Sequence, residues 1–385
     1  MRILHTVEFY APSQGGAQEV VRQVSERLVA RGHDVTVATT RLARRQATTI
    51  NGVKIAEFSI EEAGEIDRYH ALLCDPGFDV VMSYAAQAWP TDAAFPVLER
   101  MPAARVLAPC GFSGLFWPQL RSYFSVLPVY LRRFDLLLFH SDEYRDIAFA
   151  RRHGLTNLTV VPNGAAAEEF ESSETAFRSR HDIPDGVPLL LTVGTHTGSK
   201  GHRETIKAFQ AARIGRAVLV IAGNRPENGG GCFDNCARRA RHTVWRSFGR
   251  KRVMLLDLPR ADLVQAYKAA DLFVFLSRIE CSPIVLFEAC AAGLPFIASD
   301  AGNAREIVRW TGAGQVVGGD PTPDGYMTAH VDEAARAIEQ LLADRSVRQA
   351  MSQRGRAAWQ ERFTWDKIAA QYEAAYKQAI ASRRR

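Results

Sequence analysis

Arg2-Ile3-Leu4-His5-Thr6-Val7, followed by the glycine pair Gly15-Gly16, opens the chain and decides how the rest is read. The first run is β-branched and apolar enough for a buried strand, and the glycines supply a turn. From Ala17 onward Val20, Val21, Val24 and Leu28 recur at helical spacing, and Gly32 stands where such a helix ends. Val35-Thr36-Val37-Ala38 is then a second strand. Strand, glycine turn, helix, strand is the start of a parallel α/β sheet.

The alternation continues through strands at Asp79–Met82, Arg105–Ala108, Leu136–Phe139 and Leu158–Val161, and Pro162-Asn163-Gly164 closes this half with a turn. Residues 167–186 are polar and acidic without clear periodicity, and they are read as a linker. The pattern restarts at Leu189–Val193 and runs through Val218–Ala222, Val253–Leu256, Leu272–Leu276 and Phe296–Ala298. From Val331 the chain reads as helical. The expected organisation is an N-terminal domain over 1–166 joined by a C-terminal helix over 365–385, the linker, and a second domain over 187–364.

At 385 residues the chain exceeds one ordinary core, so two domains of similar size are expected. A formal charge of +6 suits phosphate-bearing small molecules or an anionic membrane surface as well as nucleic acid, so charge selects no partner; nucleic acid is not among the expected ones. The closing Arg383-Arg384-Arg385 is read as a solvated tail. Six irregularly spaced cysteines and no apolar leader point to a reducing, cytoplasmic location, and no run of about 18 apolar residues is present to span a bilayer.

Chemistry concentrates in Glu280-Cys281-Ser282-Pro283-Ile284-Val285-Leu286-Phe287-Glu288, directly after a strand. Ser282 is read as the N-cap and Pro283 as the first helical residue, leaving the N–H groups of Ile284 and Val285 to favour a phosphate or sugar oxygen. Glu280 and Glu288 flank that helix end, and carboxylates accept hydrogen bonds from paired hydroxyls such as those of a ribose or hexose.

A second strand and small-residue loop, Val193-Gly194-Thr195-His196-Thr197-Gly198-Ser199-Lys200-Gly201, offers an ammonium to a leaving diphosphate, though it is not a P-loop. Gly15-Gly16 would let the backbone approach a phosphate. Aromatic and basic residues interleave from Phe112 to Phe134, which suits an amphiphilic acceptor or membrane interface; packing inside the N-terminal domain is the simpler reading. Cys232 and Cys236, beside the glycine-rich 228–231 with His242 beyond, make a poor zinc signature, and a mobile surface loop is expected there. Gly312-x-Gly314 fails the dinucleotide fingerprint and is read as a hairpin-like turn.

Taken in order, Gly15-Gly16-Ala17-Gln18, Val161–Gly164, the loop ending Lys200-Gly201, Ala270-Asp271-Leu272, Glu280 to Glu288, Ala292-Gly293-Leu294-Pro295 and Glu306-Ile307-Val308 resemble the GT-B-fold glycosyltransferases, specifically the retaining enzymes of glycosyltransferase family 4. The resemblance implies two Rossmann-like domains facing each other across a cleft, with the last helix crossing back to the N-terminal domain. It also implies that Glu280 approaches the donor hexose, Glu288 the ribose, Lys200 the diphosphate, and Gly16 offers a backbone N–H. The expected set is Glu280 and Lys200 as catalytic residues. Gly15, Gly16, Thr195, Lys200, Leu258, Glu280, Ser282, Ile284, Val285 and Glu288 are expected at the donor, and Cys110, Gly111 and Phe112 on the acceptor side.

Four positions depart from the family pattern. Thr195 stands where many relatives carry Arg, leaving His196 or another Arg to substitute; Cys281 and Pro283 replace glycines; Cys110 stands in place of a His. The implied reaction is retaining transfer of a hexose from a UDP- or GDP-sugar to a saccharide or lipid-linked acceptor, in cell-surface polysaccharide or glycolipid synthesis, with no metal and no further cofactor. Peripheral contact with the inner face of a membrane fits that role. A nucleotide-sugar epimerase and a non-catalytic sugar-nucleotide binder are the competing readings.

Overall fold

The computed structural model describes residues 1–171, 176–226 and 229–383. They divide into two units, Met1–Asn163 with Trp365–Arg385, and Gly164–Thr364.

The first unit is built on strands β1 (Arg2–Thr6), β2 (Asp34–Thr40), β3 (Thr49–Ile50), β4 (Val53–Phe58), β5 (Val80–Tyr84), β6 (Ala104–Ala108), β7 (Leu136–Phe139) and β8 (Leu158–Val160). Their order is β3-β4-β2-β1-β5-β6-β7-β8, parallel except for β3 on β4. The helix Gly16–Ala30 follows β1 and buries Val20, Val21, Val24 and Leu28, the residues whose spacing announces it. Strands β3 and β4 escape the sequence reading because Val53–Phe58 interleaves Lys54 and Glu57 with its apolar residues.

The second unit holds β9 (Leu189–Val193), β10 (Ala217–Ala222), β11 (Lys251–Leu256), β12 (Leu272–Phe275), β13 (Phe296–Ser299) and β14 (Gly314–Val317). The order β11-β10-β9-β12-β13-β14 is wholly parallel. Strands β9, β10, β12 and β13 are buried throughout, as expected where helices cover both faces. This is the Rossmann order, in which the chain leaves β9 toward one edge and returns to β12 on its other side. Both units are therefore Rossmann-like, and the chain is a two-domain α/β protein.

Three expectations need correction. The stretch 167–186 is no free linker. Its described residues bury Phe170, Phe177 and Ile183 in the core of the second unit, and Arg178 reaches Asp271 at 2.8 Å; residues 172–175 lie outside the described ones. Its polar composition conceals these widely spaced apolar anchors. Gly312-x-Gly314 is not a hairpin: Gly312, at φ 59°, ends the helix Ala304–Thr311, and Gly314 begins the edge strand β14. Arg383 is not a free tail residue: it is only partly exposed and pairs with Asp135 at 3.2 Å; Arg384 and Arg385 fall outside the described residues.

The helix Trp365–Arg383 belongs to the first unit, as the resemblance implies. Trp365, Ile368, Tyr372 and Tyr376 are buried along it. The Tyr376 hydroxyl lies 2.9 Å from Nε2 of His5, whose Nδ1 lies 2.7 Å from the Ser25 hydroxyl. Burial holds the His5 imidazole neutral, with its pKa lowered to about 3, so both ring nitrogens need neutral partners. Tyr376→Phe would leave one of them unsatisfied, at a cost of about 1–3 kcal/mol. The expected outcome is a lower urea midpoint for the first unit with the second unit's transition unmoved; hydrogen exchange at β1 reports which unit has changed.

Candidate functional site

In the second unit the strand order places the carboxyl ends of β9 and β12 side by side, at the point where such sheets bind ligands. The loop after β9 runs from Gly194 to Gly201, and Lys200 donates from Nζ to Oε1 of Glu280 at 2.7 Å. Ser277 donates to the same oxygen at 2.6 Å, and the Arg278 N–H donates to the Ser199 carbonyl at 2.8 Å, so the two loops are laced together. Gly201 makes the approach possible. A Cβ there would sit 1.6 Å from the Leu276 carbonyl oxygen, and its φ of +67° is a conformation that side-chain-bearing residues rarely adopt. Gly302 plays the same part on the other side, where a Cβ would meet Glu280 Cβ at 2.8 Å.

The helix Ile284–Ala291 starts one residue later than expected, with Pro283 as N-cap and Ser282 buried just before it. Proline has no side-chain oxygen with which to cap, and among the described residues no side chain caps this end. The first-turn amides of Ile284 and Val285 thus meet the positive end of the helix dipole without a capping side chain.

Glu288, one turn further on, is only 4% exposed. Its Oε1 lies 2.6 Å from Nη1 of Arg260, and its Oε2 accepts from the Tyr267 hydroxyl at 2.9 Å. Arg260 also engages Glu169, with Nε 3.1 Å from both carboxylate oxygens. Burial and the Glu288 carboxylate raise the Tyr267 phenol well above its ordinary value, so it remains a donor. Arg260, Tyr267 and Glu169 were not singled out from the sequence. Nothing in their local pattern marks them, since they meet Glu288 only through folding.

The remaining donor-side residues scatter in role. Thr195 donates its hydroxyl to Asn224 at 2.8 Å, and Leu258 packs partly buried against the core. His196, the candidate substitute for the charge missing at Thr195, is fully buried with its ring centroid 4.6 Å from that of His202.

In the first unit, Gly15 is the N-cap of the helix Gly16–Ala30, with no side-chain cap among the described residues and open space where a Gly16 Cβ would stand. Cys110, Gly111 and Phe112 follow β6 with φ of 59°, 96° and 47°. Three successive left-handed residues, two with side chains, are strained, and such strain concentrates at functional sites. The Gly111 N–H donates to Asp146 at 2.8 Å, and burial raises the Asp146 carboxyl to about 6. Cys110 approaches the Tyr84 hydroxyl at 3.8 Å, and Tyr84 in turn meets His140 at 3.0 Å. Phe112 departs from expectation: it is buried against Phe124 and Phe149, ring centroids 5.4 and 5.3 Å away, and belongs to the core. Much of the aromatic segment 112–134 packs likewise, with Tyr130 stacked on Phe95, although Phe116, Val126 and Val129 are exposed.

The 228–231 loop, read as mobile, is anchored in its described part. The Cys232 N–H donates to the His196 carbonyl at 2.8 Å, and Gly231 passes so close that a Cβ would lie 1.9 Å from that oxygen. Asn228 lies outside the described residues. His242 sits further along the helix Phe233–Arg246, near Trp245.

Residues 173–358 match the family model described as glycosyl transferases group 1. The chain is 26% identical, over 96% of its own length and 96% of the relative's, to a GDP-mannose-dependent alpha-(1-6)-phosphatidylinositol monomannoside mannosyltransferase of Mycobacterium tuberculosis. It is 22% identical to an N-acetyl-alpha-D-glucosaminyl L-malate synthase of Bacillus anthracis, over 95% of this chain and 94% of that one. Among solved structures, sucrose-phosphate synthase from Thermosynechococcus elongatus superposes with a TM-score of 0.80 at 20% identity, covering 99% of both chains. Anabaena HepE in complex with UDP gives 0.79 at 17%, covering 97% of this chain and 99% of that one. The folds match those of GT-B glycosyltransferases. The matched segment is similar to the group 1 glycosyl transferases, and with these relatives the chain is a transferase enzyme.

Proposed function

We propose that the protein is a retaining glycosyltransferase of family 4 that moves a hexose from a GDP- or UDP-sugar to the hydroxyl of a saccharide or lipid-linked acceptor. The observation that carries this reading is the Lys200–Glu280 pair, 2.7 Å apart beside a helix end that no described side chain caps, with Glu288 buried one turn inside. In this reading the Lys200 ammonium and the two backbone amides act on the leaving diphosphate as it gains negative charge. Such preorganised donors lower the transition state more than the ground state.

In the reaction the bond from the anomeric carbon to the phosphate oxygen breaks, a bond to the acceptor oxygen forms, and the acceptor proton leaves with the nucleotide diphosphate. Glu280 keeps Lys200 in position and accepts from hexose hydroxyls; Glu288 accepts from the ribose diol with lone pairs that Arg260 and Tyr267 leave open. Retention is carried over from the family 4 resemblance. The relatives' names support the donor class: one is GDP-mannose-dependent and one solved neighbour is in complex with UDP. A glycolipid acceptor is supported by the same comparison, since the mannosyltransferase name specifies a phosphatidylinositol mannoside, and a cell-surface polysaccharide is the other product of this reading. Exposed Phe116, Val126 and Val129 beside exposed Arg121 and Arg132 suit peripheral contact with an anionic membrane face.

A panel of GDP- and UDP-hexoses tested for nucleotide release with saccharide and lipid-linked acceptors decides the reading. Release that requires an acceptor supports it. Conversion of the free sugar nucleotide without acceptor would make the protein an epimerase, and binding without turnover a sugar-nucleotide receptor.

Lys200→Ala is expected to lower kcat by about 10²–10³-fold with an unchanged circular dichroism spectrum. Glu288→Ala would strand Arg260 and Tyr267 in a buried site, so Glu288→Gln is the cleaner probe; it should raise KM for the donor about tenfold or more while the fold persists. The Asp146 carboxyl, raised to about 6, accepts from the Gly111 N–H at one oxygen and from the Ile147 N–H at the other, so protonation weakens one of these two bonds. Its raised value means that its contribution to stability is complete below its ordinary pKa and is lost as pH rises through about 6, so the ionised form is held at the expense of stability. Acceptor kcat/KM should therefore fall as pH drops through about 6, and Asp146→Asn should flatten that limb; a limb unmoved by the substitution removes Asp146 from the acceptor loop's workings.

A further inference from the structure

Four side chains that the proposed reaction does not use converge in the second unit. His196 lies in the loop after β9, His202 opens the helix His202–Ala211, Cys232 is the N-cap of the helix Phe233–Arg246, and Cys236 lies in that helix's second turn. One ligand atom from each falls within 4.8 Å of every other. His196, His202 and Cys236 are buried, and Cys232 partly so.

The three spacings among His196, His202 and Cys232 match the edges of a tetrahedral zinc site. Zinc bonds of about 2.3 Å to sulfur and about 2.05 Å to nitrogen imply edges of roughly 3.3 Å between two nitrogens and roughly 3.5 Å between nitrogen and sulfur. Here Nδ1 of His196 and Nδ1 of His202 lie 3.2 Å apart, and Cys232 Sγ lies 3.5 and 3.6 Å from them. Hydrogen bonding alone does not account for how the rings are turned. Both present Nδ1 inward to each other and to sulfur, while among the described residues Nε2 of neither finds a partner.

We propose that His196, His202, Cys232 and Cys236 bind one structural zinc ion. Two thiolates and two imidazoles in tetrahedral array select zinc among common divalent cations, and four protein ligands leave no open position for a reacting water. The ligands come from two segments some thirty residues apart, His196 with His202 and Cys232 with Cys236. The ion joins the loop after β9 to the helix Phe233–Arg246. It also brackets Lys200, which stands four residues after one ligand and two before the other, so that both ends of the lysine loop are pinned. That positioning role rests on the proposed function; the metal site does not.

The test is metal analysis of the untagged full chain, purified under reducing conditions without chelator. About one zinc per chain is expected, falling to near zero in Cys232→Ser/Cys236→Ser and in His202→Asn. Should those variants fold poorly, cobalt added to the chelator-stripped wild-type chain is expected to show the visible spectrum of a tetrahedral thiolate site. A folded wild-type chain that carries no metal and takes up neither zinc nor cobalt overturns the proposal, as does a Cys232–Cys236 disulfide in that preparation. Calorimetric titration with GDP and UDP is read separately. Nucleotide binding that weakens on chelation as it does in Lys200→Ala supports the positioning role, and binding unchanged by chelation overturns it. A zinc-loaded chain that binds no nucleotide sugar would retain the metal site and refute the transferase assignment instead.

Discussion

The adjacency of β9 and β12 is the constraint on which the second unit's chemistry depends. Because the chain leaves β9 in one direction and resumes at β12 in the other, the loops after these strands are not covered by a crossover and become neighbours. Lys200 and Glu280 are 80 residues apart in sequence yet share a hydrogen bond for that reason. The contact also requires Gly201, since any side chain there would strike the end of β12.

Around Glu288 the structure accepts a cost that a purely structural core would avoid. A carboxylate 4% exposed, balanced by Arg260 and Tyr267, loses hydration that its partners only partly return, and apolar replacements of such groups are often neutral or stabilising. It stands one turn into a helix with no described capping side chain, where the proposed reading has it bind the donor ribose. Glu169 extends the network from the segment that opens the second unit, so that segment contributes a charge as well as the buried Phe170.

The two units use glycine and strain differently. In the second, glycines permit close backbone approach, as Gly201 does at Leu276. In the first, Cys110 and Phe112 hold left-handed backbone without glycine's freedom, and the buried Asp146 ties the loop between them through the Gly111 amide. The helix Trp365–Arg383 completes this unit by supplying the Tyr376 hydroxyl to a histidine at the centre of the sheet.

Sequence alone determined the strands that are buried on both faces, from Leu136–Phe139 to Leu189–Val193, because a run of apolar residues reports burial wherever it occurs. It also determined the helix start beside Glu280 and the lysine loop, whose glycine, proline and hydroxyl residues carry local backbone meaning. Strand β4 and the anchoring of 167–186 were hidden, since charged residues on exposed positions dilute the pattern of the buried ones. Tertiary structure alone decided that Arg260 and Tyr267 hold Glu288, and that His196 and His202 join Cys232 and Cys236. These partners lie 21 to 40 residues from one another in the chain, and no local spacing encodes a meeting that depends on which strands become neighbours.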